Sequence, residues 1–260
     1  MTATALSNFM PNFSLEGRVA LVTGANTGLG QGIAVALAQA GADIVAVSRS
    51  ATADTERGVR AAGRKFHAIH ADLERSSEAG RIFAEAVAAA GSVDILVNNA
   101  GIIRRNDALA FTEADWDAAL DVNLKTPFFL SQAAAQSMLK AGRGGKIINI
   151  VSMLSFQGGI RTASYTASKS GLAGITRLLA NEWAARGINV NAIAPGYFET
   201  NNTTALRSDE QRNREILARI PAARWGKPSD LGGAAVFLSS AASDYVHGTV
   251  IPVDGGWLAR

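Results

Sequence analysis

The chain has 260 residues, 48% of them hydrophobic, and carries 25 lysines and arginines against 22 aspartates and glutamates, a net charge of +3. A chain of this length can bury a large core without covalent cross-links. It contains no cysteine, which excludes disulfides, cysteine nucleophiles and cysteine-based zinc or iron–sulfur sites. The charge excess is small and scattered, so we expect neither nucleic acid nor a membrane surface as a partner.

No apolar run reaches the roughly 18 residues that a membrane-spanning helix needs. Residues 1–15 contain no lysine or arginine followed by a long apolar stretch, so they do not resemble a secretory signal. We therefore expect a soluble protein located in the cytoplasm.

Short β-branched runs alternate with helical segments along the whole chain. The predicted strands are residues 18–23, 43–48, 65–70, 94–98, 146–151, 189–194 and 249–253. The predicted helices are residues 28–40, 52–62, 76–90, 112–141, 165–186 and 229–241. Glycine follows four of these helices, at the position where a left-handed residue ends a helix, namely Gly41, Gly63, Gly91 and Gly187.

This alternation predicts an α/β fold of one domain, a doubly wound parallel sheet of seven strands with helices on both faces, which is Rossmann-like. Several strands are almost continuously Val, Ile and Leu, as expected for strands buried on both faces. Ligands of such sheets bind beyond the carboxyl ends of the strands. The polar residues 200–219 form the longest insertion after a strand, and we expect them to act as a lid over the substrate.

The segment after the first strand reads T-G-A-N-T-G-L-G, with glycines spaced G-x-x-x-G-x-G, and opens a helix. Glycines let backbone N–H groups approach a pyrophosphate at the positive end of that helix, which indicates a dinucleotide site. The alternative is a tight strand-to-helix turn without a ligand. The candidate cofactor-binding residues here are Gly24, Asn26, Thr27, Gly28, Leu29 and Gly30.

The end of the second strand carries Ser48 and Arg49, where an acidic residue would hold the ribose hydroxyls of NAD. A carboxylate repels a 2′-phosphate, whereas a hydroxyl and a guanidinium accept one, so these residues favour NADP(H). The alternative is that Arg49 is a solvated loop residue.

Ser152 follows the fifth strand, and Tyr165 and Lys169 lie four residues apart on one helix face. A neighbouring ammonium would lower the pKa of Tyr165 and let it exchange a proton with a substrate hydroxyl. Ser152 could hydrogen-bond the reacting oxygen. The alternative is an aromatic ring packed by the lysine stem.

These motifs together resemble the short-chain dehydrogenase/reductase family over almost the whole chain. The matching residues are the glycine turn, Asp72, Asn98-Asn99-Ala100-Gly101, Asn123, Ser152, Tyr165, Lys169, Pro195-Gly196 and Asp254-Gly255-Gly256. The resemblance implies an NAD(P)(H)-dependent oxidoreductase acting on CH–OH groups. It also implies a homotetramer with the apolar C-terminal segment at a subunit interface.

The resemblance implies that Asp72 binds the adenine amino group and that Leu73 lines the adenine pocket. Asn99, Ala100 and Gly101 would pack beside the adenosine ribose. The alternatives are structural, since Asp72 could be a cap and Asn99 a turn former.

For the reacting end, the resemblance implies that Tyr165 is the acid–base and Ser152 the oxyanion partner. Lys169 would hold the nicotinamide ribose and lower the pKa of Tyr165, and Asn123 would anchor a proton-relaying water. Asn123 could instead be a helix-interior residue held by backbone bonds. The residues implied at the carboxamide end of the nicotinamide are Pro195, Gly196 and Thr200.

The candidate substrate-binding residues are Arg104, Ser152, Gln157, Arg161, Tyr165 and Tyr197, with Arg105 and Trp257 as further candidates. A guanidinium binds a carboxylate bidentately, so the arginines favour a small anionic substrate. The alternative is that Arg104 and Arg105 face solvent or a partner subunit.

Within the family, the stretches around these residues resemble the dehydrogenases of uronate breakdown from pectin and alginate, which act on deoxy keto-sugar acids of the 2-dehydro-3-deoxy-gluconate type. Such relatives often use NAD(H), against the preference that Arg49 favours, so NAD and NADP both stay open. The competing functions are a 3-oxoacyl-(acyl-carrier-protein) reductase and a non-catalytic dinucleotide-binding protein. We expect no metal, since His67, His70 and His247 are too few and too dispersed.

Overall fold

The computed structural model describes residues 12–260. A seven-stranded, all-parallel sheet lies at its centre, with the strand order β3-β2-β1-β4-β5-β6-β7. The strands are β1 (Val19–Thr23), β2 (Asp43–Ser48), β3 (Phe66–His70), β4 (Ile95–Asn98), β5 (Gly145–Ile150), β6 (Ile188–Pro195) and β7 (Val250–Val253). The sheet confirms the predicted Rossmann-like α/β fold. The expectation for residues 1–15 falls mostly outside the described residues.

Nine α-helices connect and cover the strands among residues 12–260. They are α1 (Gly28–Gln39), α2 (Ala53–Ala61), α3 (Ala79–Ala90), α4 (Glu113–Leu120), α5 (Thr126–Lys140), α6 (Ala163–Trp183), α7 (Thr204–Ser208), α8 (Glu210–Arg219) and α9 (Gly232–Ser239). Strands β2 and β3 lie in turn on one side of β1, and β4 lies on the other side of β1. This reversal opens a cleft at the carboxyl ends of β1 and β4.

Alternate residues of the central strands enter two separate hydrophobic cores. Ala20 and Val22 of β1 pack with Ile33 of α1 and Leu238 of α9 on one face of the sheet. Leu21 packs with residues of α3, α5 and α6 on the other face. Every residue of β1 is buried, as the continuous apolar run predicts for a strand covered on both faces.

The ends of every predicted strand lie within one residue of those observed. Gly41, Gly63, Gly91 and Gly187 all have positive φ, which confirms the helix ends predicted from glycine. The predicted helix 112–141 is wrong as a single α-helix, because a π-helical turn at Asp121–Lys125 separates α4 from α5.

The insertion 200–219 contains the short helix α7 and the polar helix α8. Ile216 of α8 and Ile220 just beyond it are buried against Met153, Trp225 and Trp257. This small apolar cluster fixes α8 beside the carboxyl end of β5, although most of the helix is exposed. The insertion is therefore an ordered part of the cleft wall.

Within residues 12–260, the helices are all too short or too polar to cross a bilayer. The same part of the chain contains no group of three or more histidine, aspartate or glutamate side chains placed to hold a metal ion.

Candidate active site

A cavity of about 710 Å³ runs along the carboxyl ends of the strands, from the glycine turn after β1 to Trp257. Its volume lies within the range of about 300–1,000 Å³ usual for small-molecule and cofactor sites. Every residue that the sequence assigned to the cofactor lines it, namely Gly24, Asn26, Thr27, Gly28, Leu29, Gly30, Ser48, Arg49, Asp72, Leu73, Asn99, Ala100, Gly101, Tyr165, Lys169, Pro195, Gly196 and Thr200.

The glycine turn forms one end of the cavity at the N-terminus of α1. Gly24 and Gly28 have φ of +64° and +58°, a conformation that only glycine adopts without strain. A Cβ on Gly30 would collide with the carbonyl oxygen of Gly24 and the amide of Asn99. The turn therefore leaves open the space beside a helix N-terminus that a pyrophosphate occupies.

Asn99 and Thr23 connect β1 and β4 where the strand order reverses. The Asn99 side chain donates to the Thr23 carbonyl oxygen over 2.8 Å, and its backbone N–H donates to the Thr23 hydroxyl over 3.0 Å. The Ala100 N–H donates to the same hydroxyl. These bonds hold the backbone of residues 99–101 along the cavity wall.

Arg49 lies at the adenosine end of the cavity and is ion-paired. Its Nη1 is 3.3 Å from a Glu74 carboxylate oxygen and 3.7 Å from an Asp72 carboxylate oxygen. The Ser48 hydroxyl donates to the Ser50 carbonyl oxygen. The guanidinium therefore stands where the sequence placed it, with its charge balanced by two carboxylates that the sequence did not connect to it.

Tyr165 and Ser152 meet inside the cavity. Burial raises the pKa of Tyr165 above its usual value, and the Ser152 side chain and the positive charge of Arg105 offset only part of this rise. The sequence predicted Lys169 as the group that lowers this pKa. In this structure the pKa of Tyr165 is raised on balance, so the predicted lowering by Lys169 is not found. The Lys169 ammonium donates to the Ile150 carbonyl oxygen instead.

The Lys169 Nζ donates to the Ile150 carbonyl oxygen over 2.6 Å and lies 5.9 Å from the centroid of the Tyr165 ring. Burial lowers the pKa of Lys169 to about 8. A buried amine with this pKa can gain or lose a proton near neutral pH.

Asn123 is fully buried in the π-helical turn between α4 and α5. Its side chain donates to the Ile102 carbonyl oxygen and the Ser168 hydroxyl, and accepts from the Ile102 N–H. Such π-helical turns occur often at functional sites. Asn123 therefore fixes the segment after Gly101 against α6, and it does not itself line the cavity.

Gln157 and Tyr197 line the substrate end of the cavity, together with Ser152 and Tyr165. Arg104 and Arg161 do not line it. The Arg104 guanidinium pairs with Asp115 over 3.3 Å, and Arg161 is an exposed residue with a φ of +61°. Of the three arginines that the sequence offered as candidates for the substrate carboxylate, these two therefore lie outside the cavity wall.

Three other arginines, Arg105, Arg212 and Arg219, line this end of the cavity instead. Arg105 was a candidate from the sequence, whereas Arg212 and Arg219 of α8 were not. A helical-spacing signal was present, since Arg212, Ile216 and Arg219 recur at intervals of four and three. The segment contains few apolar residues, so this spacing did not lead to a predicted helix.

Comparison with known proteins assigns the family. A family model described as enoyl-(acyl carrier protein) reductase matches residues 24–258. The 2-dehydro-3-deoxy-D-gluconate 5-dehydrogenase of Escherichia coli (strain K12) is 62% identical over 95% of this chain and 98% of its own.

Two crystal structures resemble the whole fold. A protein of Agrobacterium tumefaciens with bound NADP is 61% identical, with a TM-score of 0.92 over 96% of this chain and 99% of that one. A gluconate 5-dehydrogenase of Burkholderia cenocepacia, in complex with NADP and tartrate, is 41% identical, with a TM-score of 0.91 over 96% and 98% of the two chains.

The chain belongs to the short-chain dehydrogenase/reductase family. It is an NAD(P)-dependent dehydrogenase that acts on CH–OH groups, as the glycine turn and the Ser152, Tyr165 and Lys169 cluster predicted.

Proposed function

We propose that this enzyme interconverts the alcohol and keto forms of a deoxy keto-sugar acid of the 2-dehydro-3-deoxy-gluconate type, a product of pectin and alginate uronate breakdown. The observation that carries the proposal is the 62% identity, over almost the full length of both chains, to a dehydrogenase of that compound. The nicotinamide, when bound, accepts the hydride in the oxidation and supplies it in the reduction.

Tyr165 is the acid–base in this proposal, and Ser152 stabilises the reacting oxygen. The tyrosine hydroxyl donates its proton to the carbonyl oxygen during reduction and takes a proton from the alcohol during oxidation. The Ser152 hydroxyl reaches the same oxygen, a role supported by the position of both side chains on the wall of one cavity. The positive charge of Arg105 favours the phenolate that oxidation requires.

Lys169 holds the nicotinamide ribose and exchanges protons behind Tyr165. Two observations support this role. Lys169 lines the cavity, and its pKa is lowered to about 8 by burial. Asn123 anchors the water that connects Lys169 to solvent. This role is supported by the position of the Asn123 Oδ1 and the Lys169 Nζ, which both lie close to Gly101.

At the other end of the cavity, Asp72 and Leu73 bind the adenine, while Ser48 and Arg49 face the ribose of the adenosine. With NADP(H), the Arg49 guanidinium exchanges the Glu74 carboxylate for the 2′-phosphate. With NAD(H), it keeps its carboxylate partners. This arrangement supports the use of either cofactor. The residues proposed for the carboxamide end are Pro195, Gly196 and Thr200.

Residues 200–219 act as the lid over the substrate. Their placement along the cavity supports this role, because Thr200, Leu206, Ile216 and Arg219 all line it. Lid segments exclude water from the reaction and complete the site when the substrate binds.

The two competing functions fit the site less well. A non-catalytic dinucleotide-binding protein has no use for Ser152, Tyr165 and Lys169 at one point of the cavity. A 3-oxoacyl-(acyl-carrier-protein) reductase binds an acyl chain, whereas Arg105 and Arg219 give this cavity a cationic substrate end.

The enzyme forms a homotetramer and works in the cytoplasm in this proposal. Partly exposed β7 at the edge of the sheet supports assembly through the C-terminal segment. Large apolar side chains on α4, α5 and α6 are also exposed, namely Trp116, Phe129 and Leu178.

The proposal is tested by initial rates on the purified protein with NAD(H) and NADP(H) in parallel. The substrates are 2-dehydro-3-deoxy-D-gluconate, other keto-sugar acids, neutral ketones and an acetoacetyl thioester. We expect activity with the deoxy keto-sugar acid and little with the neutral ketones. Activity confined to the thioester would favour the carrier-protein reductase and overturn the proposal.

A further inference from the structure

Arg219 is the last residue of α8 and lies at the substrate end of the cavity. The Arg260 side chain donates to the backbone carbonyl oxygens of Ala218 and Arg219, so the C-terminal residue of the chain caps this helix. Cationic side chains at a helix C-terminus satisfy carbonyls that have no partner within the helix. The backbone that carries Arg219 is therefore held in place by the C-terminal segment.

The Arg219 guanidinium is held from two sides. Its central carbon lies 4.0 Å from the centroid of the Trp257 ring, a cation–π contact. Its Nη2 is 3.3 Å from the Gln157 Oε1. The Trp257 ring in turn packs against Tyr197, with ring centroids 4.7 Å apart. The Arg219 guanidinium is thus positioned by Gln157 and Trp257 directly and by Tyr197 through Trp257. All three residues were substrate-site candidates from the sequence.

The charges around the cavity single out Arg219 further. Arg49 is paired with Glu74, and Arg212 is paired with Glu215 over 2.9 Å. Among residues 12–260, no carboxylate lies within 4.0 Å of the Arg105 or Arg219 guanidinium. Arg105 acts on Tyr165, where its charge lowers the pKa. Glu215 also lines the cavity, but it pairs with Arg212. Arg219 is thus held by Trp257 and Gln157 and has no carboxylate partner within 4.0 Å among residues 12–260.

We propose that Arg219 binds the carboxylate of the sugar-acid substrate and is the residue that selects acids over neutral sugars. The inference rests on the proposed function and adds the residue that recognises the acid. A guanidinium presents parallel N–H donors that match the two oxygens of a carboxylate. The Gln157 amide accepts from Arg219 through Oε1, which leaves its NH₂ group as a further donor to the same carboxylate.

This assignment gives Arg105 and Arg219 different roles. Arg105 stabilises negative charge near Tyr165, so its loss should change the pH profile of turnover. Arg219 binds the far end of the substrate, so its loss should raise KM for acids with little change in the pH profile.

The test compares binding of D-gluconate with binding of its neutral analogue D-glucitol, by calorimetry at saturating NADPH, which cannot oxidise either probe. The variants are Arg219→Gln, Arg219→Lys and the control Arg214→Gln. Arg214 lies on the same helix, is largely exposed and pairs with Glu210 away from the cavity. Hydrogen bonds to a charged group give about 10- to 100-fold in affinity.

We expect the wild type and Arg214→Gln to bind gluconate at least about tenfold more tightly than glucitol. Arg219→Gln should lose most of this preference, and Arg219→Lys should keep part of it because it retains the charge without the planar fork. A preference that survives in folded Arg219→Gln would overturn the inference, as would a wild type without any preference. Turnover of 2-dehydro-3-deoxy-D-gluconate is measured separately, so a failure of the proposed function is recognised independently.

Discussion

At the scale of single residues, the chemistry depends on which side chains reach the reacting oxygen. Tyr165 is the only titratable hydroxyl proposed to do so, and it lies in the cavity beside Ser152. The spacing of Tyr165 and Lys169, taken together with the glycine turn, predicted both residues from the sequence. The sequence did not predict how the pKa of Tyr165 is set, because that depends on desolvation and on Arg105, which comes from a distant loop.

Replacing Tyr165 by Phe removes the acid–base hydroxyl and keeps the ring. Turnover should fall by about 10²- to 10⁴-fold, the usual contribution of general acid–base catalysis, while NADPH binding stays within about twofold of the wild type. Steady-state rates and a fluorescence titration with NADPH measure the two effects. Tyr245→Phe is the matched control, because Tyr245 is fully exposed. Unchanged turnover in Tyr165→Phe would contradict the assignment.

Lys169 makes the stability of the protein depend on pH in a defined direction. Its pKa is about 8 in the folded chain against 10.5 in the free side chain. Between these values the unfolded state binds more protons, so the free energy of unfolding rises with pH there. The free energy of unfolding of the wild type minus that of Lys169→Met should therefore rise by up to about 1.4 kcal/mol per pH unit from pH 8 to 10.

Urea unfolding of the wild type and Lys169→Met at pH 7.5, 8.5 and 9.5 measures this growth. Below pH 8 both states of the wild type are protonated, and the difference should stay flat. If the wild-type value minus the variant value fell as the pH rises, the folded protein would favour the charged form of Lys169. That result would contradict the lowered pKa.

At the scale of elements, the glycine turn and α1 form the pyrophosphate end of the cavity. Gly30→Ala would force a methyl group onto the Gly24 carbonyl oxygen and the Asn99 amide. We expect at least tenfold weaker NADPH binding and a lower melting temperature, because the turn must shift. Binding titrations and thermal unfolding measure both effects.

Gly80→Ala is the matched control for this substitution. Gly80 also lies in a helix, α3, but a Cβ there meets nothing within 4 Å. Alanine should stabilise that helix by about 0.5–1 kcal/mol through its better helix propensity. Normal NADPH affinity in both variants would show that the close packing at Gly30 has no part in the cofactor site.

Two elements, the π-helical turn and helix α8, were not predicted from the sequence, and each has a physical reason. The π-helical turn at Asp121–Lys125 widens one turn of an otherwise helical segment, and the apolar spacing on either side still predicts a single helix. Helix α8 buries only Ile216 along its length, so it lacks the apolar stripe that reveals a helix. Its packing depends on Trp225 and Trp257, which come from other parts of the chain.

At the scale of the whole molecule, the sequence predicted the sheet well because each strand is a short apolar run bounded by glycine or polar residues. The parallel sheet and a site beyond the carboxyl ends of its strands followed from the strand–helix alternation, whereas the order of the strands came only from the structure. The orientation of the arginines could not be predicted, since Arg104 and Arg105 are neighbours with the same chemistry. Arg104 pairs with Asp115 outside the cavity, whereas Arg105 lines it.

The proposed assembly is testable by light scattering coupled to size-exclusion chromatography. The chain mass is 27.0 kDa, and we expect a particle about four times that mass, because Trp116, Phe129 and Leu178 expose apolar surface that a partner subunit would bury. A monomeric protein at micromolar concentration would contradict the tetramer and leave the active-site assignment unaffected.

The central claim is the proposal that this enzyme moves a hydride between NAD(P)(H) and a deoxy keto-sugar acid, at the C5 carbon that the name of the Escherichia coli relative specifies. The most direct test is incubation of 2-dehydro-3-deoxy-D-gluconate, deuterated at C5, with NAD⁺ and with NADP⁺, followed by mass spectrometry of the reduced cofactor. The account predicts that one deuterium per turnover appears in the reduced nicotinamide with wild type, and that Tyr165→Phe transfers it far more slowly. No deuterium transfer from this substrate to either cofactor would contradict the account.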